Sequence, residues 1–191
     1  MPYDVRLICG QCSEICDECG FDGSLLSDVE VVRRCQDLPR QWDLLLSQGE
    51  EALLRRRPKP TIWCGFEYAH HIGAGLRWLA DMLQGTVTPA PAPPTDDPNG
   101  HEDPCREWTR AVVIEHIETG VSAVLPFARR HEAGERPGPS AVSFGAFELG
   151  LGTALRHGVH DSEHHVLDVR RGVAALKLTL GRGALTEHFS S

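Results

Sequence analysis

Apolar positions along this chain fall into four blocks with helical spacing, separated by stretches that cannot continue a helix. The first block follows Ser27, a capping candidate ahead of Asp28, and carries Val29, Val32, Leu38, Trp42, Leu45 and Leu46. Pro39 lies inside it, so the helix either kinks there or divides into two abutting pieces. The Pro58-Lys59-Pro60 turn ends it. A second helix is predicted over about residues 65–84, with Phe66, Ala69, Ile72, Leu76, Leu79 and Leu83 as its stripe and Gly85 as its stop. A third fits about 105–131, where Trp108, Val112, Val113, Ile117, Val121, Val124 and Leu125 are apolar and Pro126 kinks or ends the run. After the turn sequence GERPGPS, a fourth is predicted over about 144–176 through Phe147, Leu151, Leu155, Val159, Val166, Val169 and Val173.

Residues 86–104 are Pro-rich and read as a long crossing loop. A bundle with a long crossover need not follow simple up-down-up-down order. Strand signals are weak and isolated. The expected fold is therefore an all-α four-helix bundle over residues 25–180, with a cysteine-rich knuckle at 1–24 and a short tail at 181–191.

Composition narrows the function. The 191 residues suit one domain with a small appendage, and 41% apolar content supports a real core. A net charge of −8 with scattered arginines argues against a nucleic-acid partner, which needs concentrated positive charge. The one basic run, Arg55-Arg56-Arg57, reads as a solvated helix end favouring the dipole. No apolar run approaches the ~18 residues of a membrane span, and no signal peptide is visible. The expectation is a cytoplasmic protein without a membrane partner.

Ten histidines then direct attention to metal. His160 and His164 are four apart on the predicted fourth helix, which stacks their rings on one face. His157–His160, at i, i+3, is the runner-up, and His165 lies nearby. In the second helix, EYAHH places Glu67 and His71 four apart, while His70 turns toward solvent. A third ligand from His71 would make three neutral imidazoles with an open coordination position, the arrangement of a catalytic ion. The competing reading is a set of surface histidines on a His-rich helix.

The cysteines number seven. Cys9, Cys12, Cys16 and Cys19 form C-x2-C-x3-C-x2-C, and paired C-x2-C steps let thiolates converge on one ion. The three-residue spacer is much shorter than the ~15–20 usual between two knuckles. A zinc held by all four thiolates is one reading. An iron–sulfur cluster, a site completed by a distant residue, a redox dithiol, and reduced thiols that hold no ion are others. Structural zinc is preferred because nothing else suggests electron transfer. Cys35, Cys64 and Cys105 read as buried inert thiols.

Three segments, CDECGFDGS (16–24), RRRPKPTIWCGFEYAHHI (55–72) and HDSEHHVLDVRRG (160–172), carry a resemblance to the DinB-like metalloproteins, in particular an actinobacterial subgroup with an N-terminal CxxCG segment. Only Cys16 and Cys19 of the four clustered cysteines belong to that likeness. The resemblance implies an up-down-down-up bundle in which His71, His160 and His164 hold one divalent ion, zinc or nickel. It also implies chemistry like that of relatives that are thiol-dependent transferases or isomerases. Glu67 and Asp168, each four residues from an expected ligand, could accept a ligand imidazole's ring N–H, and Glu67 could serve as a general base. The expected partner is a small-molecule substrate, with a small thiol as one candidate, and a homodimer is permitted. A small-molecule hydrolase and a non-catalytic metal- or ligand-binding protein are the alternatives.

Overall fold

The computed structural model describes residues 15–86, 105, 108–139, 141–144 and 147–188. They form helices α1 (Asp28–Gln48), α2 (Glu51–Leu54), α3 (Gly65–Leu83), α4 (Arg110–Glu132) and α5 (Leu151–His188), with one hairpin, β1 (Ala141–Phe144) and β2 (Phe147–Gly150). A short 3-10 turn, Gly23–Leu25, precedes α1. The protein is mostly helical, as the apolar spacing predicts. Cys9, Cys12 and most of the Pro-rich crossing lie outside the described residues.

Ser27 caps α1: its hydroxyl accepts the Glu30 backbone N–H at 3.2 Å. Pro39 does not divide the helix. The inward stripe of Leu38, Trp42 and Leu46 continues past it, and that burial outweighs the one backbone hydrogen bond a proline removes. Val29, expected inside, is exposed, and Val31 takes the buried place. In α4 the start moves from 105 to 110 because Thr109 is the cap, accepting the Val112 N–H at 3.2 Å. Pro126 is accommodated inside that helix.

By length and composition α4 is apolar enough to cross a membrane, contrary to the expectation that no segment would be. Here it packs against α1 and α3, with Val113, Ile117 and Val124 buried. Contact with α3 is close. A Cβ built on Gly120 would lie 2.7 Å from the Gly73 carbonyl oxygen, so the two backbones meet where only glycine fits.

The fourth predicted helix also starts later. Residues 141–150 pair antiparallel, Val142 opposite Leu149, both buried between exposed Ser143, Glu148 and Gly150. That period of two, short as it is, prevails over the helical reading of Phe144 and Phe147.

Polar anchors fasten the N-terminal segments to α5. Arg156 donates to the Leu26 carbonyl (2.9 and 3.0 Å) and to Asp28 (2.7 Å). Arg34 donates to both oxygens of Glu163, at 2.7 and 2.9 Å. The basic run is not a solvated helix end. Arg55 donates to the carbonyls of Cys105 (2.9 Å) and Trp108 (2.8 Å) and covers the Phe66 ring at 4.2 Å, while Arg57 is buried against Glu67.

Candidate metal centres

The segment HDSEHH, residues 160–165, lies on α5, where each residue turns about 100° from the last. Its side chains therefore serve different neighbours. His160 and His164 face the N-terminal knuckle. Asp161 and His165 face α3. Ser162 accepts the Trp42 indole N–H at 2.8 Å in a fully buried contact with α1, and Glu163 meets Arg34.

This rotation divides the expected trio. His71 does not join His160 and His164; it converges with Asp161 and His165. His71 Nε2 lies 3.5 Å from Asp161 Oδ2, and His165 Nε2 lies 3.4 Å from Asp161 Oδ1. Donors about 2.1 Å from a tetrahedral ion sit about 3.4 Å apart. The two contacts reach different oxygens of Asp161, and one donor atom from each of the three residues lies within 4.8 Å of the other two, close enough to share an ion. Aromatic rings fix the imidazoles: Trp63 lies 5.1 Å from His71, and Tyr68 lies 4.7 Å from His165, between centroids. Asp168 Oδ2 is 2.8 Å from His165 Nδ1 and takes its proton as a hydrogen bond, which leaves Nε2 aimed at Asp161. Asp168 thus has the orienting role expected of it, but toward His165; His164 Nε2 is 3.9 Å away.

Electrostatics of this cluster are self-consistent. Burial pulls His165 downward, but Asp161 and then Asp168 outweigh it and raise its pKa. Burial pushes Asp161 upward, yet His165, His71 and His157 hold it well below the usual carboxylate range. The two shifts describe one pairing, in which Asp161 stays a carboxylate and favours a proton on His165.

The second cluster joins Cys16 and Cys19 to His160 and His164. The C-x2-C segment forms a tight knuckle: Cys16 N–H donates to Phe21 O and Gly20 N–H to Cys16 O, both at 2.8 Å. Gly20 has φ +74, which a side chain would strain. Cys16 Sγ lies 3.7 Å from His164 Nδ1. Burial, followed by the neighbouring His157 and His164, lowers His160 to about 4, so its ring is neutral. Burial, reinforced by Cys16 and Glu163 against the Phe21 backbone hydrogen bond, raises Cys19 to about 11. The four-thiolate reading has Cys9 and Cys12 outside the described residues; Cys16 and Cys19 have two distant histidines beside them.

A third group, Cys64, Glu67 and Cys105, lies at the start of α3. Glu67 is fully buried. Its Oε2 accepts Arg57 Nε and the Cys64 backbone N–H, both at 2.8 Å, while Oε1 accepts Arg57 Nε at 3.1 Å and a shorter contact from Nη2. Glu67 therefore closes a helix start and neutralises an arginine, and the expected role as general base is not the one its partners support. The guanidinium also makes this group a poor cation site. Cys64 and Cys105 form no disulfide with each other; their sulfurs lie in hydrogen-bond contact at 3.1 Å. Cys35 is a buried thiol pushed up to about 12 by burial. His70, expected in solvent, is stacked between Trp108 (4.1 Å) and His116 (4.4 Å).

No family model, curated protein or solved structure matches this chain. The DinB-like resemblance is carried by the quoted segments alone. Reading only the histidines missed Asp161. The signal was present, since Asp161 and His165 are themselves an i, i+4 pair one residue along from the chosen one.

Proposed function

We propose that this protein is a metal-dependent enzyme of DinB-like four-helix-bundle type, with its reaction centre at His71, Asp161 and His165. The observation that carries the reading is the convergence of these three donors from two helices, with spacings suited to one divalent ion. Three protein donors leave the shell of such an ion incomplete, which is the distinction between a catalytic and a structural site. A divalent ion, zinc or nickel, supplies Lewis acidity there, polarising a carbonyl or acidifying a water or thiol.

The chain's own residues supply the rest. Asp168 holds His165 in one tautomer, and Trp63 and Tyr68 keep the imidazoles from turning. A cleft of about 30 Å³, lined by Ile72, Leu76, Trp78, Leu79, His157 and Asp161, touches the centre at Asp161 alone; His71 and His165 do not line it. It offers an apolar wall to a substrate and room for one or two waters beside Asp161. The sequence resemblance favours a small-thiol-dependent transferase or isomerase. The water-sized cleft favours the second reading, hydrolysis of a small molecule.

The test is turnover by zinc- or nickel-loaded protein with small thiols and electrophiles, and with ester substrates, against His71→Ala, Asp161→Asn and His165→Ala. Activity in the wild type that each of the three variants abolishes supports the proposal. No turnover in any class, or turnover indifferent to His165→Ala, overturns it in favour of a binding protein.

A further inference from the structure

The knuckle of Cys16 and Cys19 lies against two histidines from the far end of the chain, 148 positions from Cys16 to His164. We propose that Cys16, Cys19, His160 and His164 form a closed zinc site that staples the N-terminal segment to α5. It is a site separate from the reaction centre and does not depend on that centre being catalytic.

Four observations carry the inference. All four donor atoms lie within 4.8 Å of one another. Zinc–sulfur and zinc–nitrogen bonds of about 2.3 and 2.05 Å at a tetrahedral angle put sulfur about 3.6 Å from nitrogen, and Cys16 Sγ is 3.7 Å from His164 Nδ1. The Nε2 of His160 is buried and meets no hydrogen-bond partner among the described residues, an expense that a coordinate bond removes. Finally, the rings and the knuckle are already held in place: Phe21 stacks on His160 at 4.7 Å with planes 19° apart, and the Cys16 and Gly20 amides close the turn.

Two thiolates and two imidazoles complete a tetrahedral shell and select zinc over harder cations. No position is left for substrate, so the site is structural. Cys16, His160 and His164 are nearly inaccessible, at 1%, 3% and 8% exposure, which suits a site that keeps its ion. It also has a mechanical effect on its neighbour. His164 and His165 are adjacent, and Asp168 lies between their rings at 3.9 and 2.8 Å. Fixing His164 from the knuckle side fixes the turn of α5 that presents Asp161 and His165.

The experiment measures zinc by elemental analysis in the full-length protein after dialysis against a chelator, and the absorption spectrum after cobalt exchange. The wild type is expected to retain one zinc per chain and, with cobalt, to show a thiolate-to-metal charge-transfer band. His71→Ala and the double variant Cys9→Ser/Cys12→Ser are expected to keep both. Cys16→Ser and His164→Gln are expected to lose the tightly held zinc, with loss or strong weakening of the band. A wild-type cobalt form without a thiolate band overturns the proposal whether or not the variants fold. So does loss of zinc in Cys9→Ser/Cys12→Ser, which would assign the ion to the four cysteines. Because His71→Ala spares this site, its failure and the failure of the catalytic reading give different results.

Discussion

Glu67→Gln tests the fold and the site assignment together. The substitution keeps the shape and one acceptor oxygen but removes the charge that Arg57 faces, and both side chains are nearly or wholly buried, at 7% and 0% exposure. Removing one partner of a buried ion pair typically costs about 3–5 kcal/mol, because the remaining charge is left without compensation. Since the amide oxygen can still accept either the Cys64 N–H or one guanidinium N–H, the lower end, about 3 kcal/mol, is expected. For a chain of this size that corresponds to a Tm lower by about 6–12 °C. Thermal unfolding followed by circular dichroism reads it directly. Adding Arg57→Met, which removes the stranded cation, is expected to restore much of the loss. A Glu67→Gln protein with a Tm within a degree or two of wild type but no turnover would refute this account. Glu67 would then be a reacting group instead of a buried counter-ion.

Three further outcomes are expected. Asp168→Asn weakens the hold on His165 Nδ1 and is expected to lower metal affinity at the His71–Asp161–His165 centre by roughly 10–100-fold, read by competition with a chromophoric chelator; unchanged affinity would remove the orienting role. Gly120→Ala drives a methyl into the Gly73 carbonyl and Leu76; overpacking of about 1–3 kcal/mol is expected to exceed the helix-propensity gain of about 1 kcal/mol, giving a lower urea midpoint at unchanged m-value. His116 has a pKa lowered to about 4 by burial, then by Arg77 and His70, against about 6.5 in the unfolded chain. Between those values the unfolded chain binds the extra proton, so stability is full above pH 6.5 and falls as pH drops toward 4. His116→Gln is expected to make that fall shallower in urea titrations at several pH values, and an unchanged slope would count against it.

Much of the helical frame was legible in the residues. Ser27 as a cap, Gly85 beyond the end of α3, and the buried stripes of α3 and α5 follow from local rules that tertiary contacts did not override. The beginning of α5 was not legible, because four-residue strands carry too little alternation to compete with a neighbouring helical pattern. At the candidate centres the residue types pointed to metal, but the pairing depended on which way each face of α5 looks. Spacing tells that His160 and His164 share a face; it does not tell whether that face meets α3 or the knuckle. Arg57 shows the same limit. Its charge and the adjacent proline suggested solvent, and only the fold reveals the carboxylate ten residues on.

The stretch from His160 to His165 has a consequence for how this molecule can change. Six consecutive residues serve the knuckle, α1 and α3 at once, each by its angular place around one helix. Substitutions there act one contact at a time, whereas adding or deleting a single residue would rotate everything beyond it by about 100° and misalign all three at once. Length at this point is thus as constrained as chemistry. Anyone transplanting either centre into another scaffold must carry the whole stretch across in phase, together with the partners that read it from three sides.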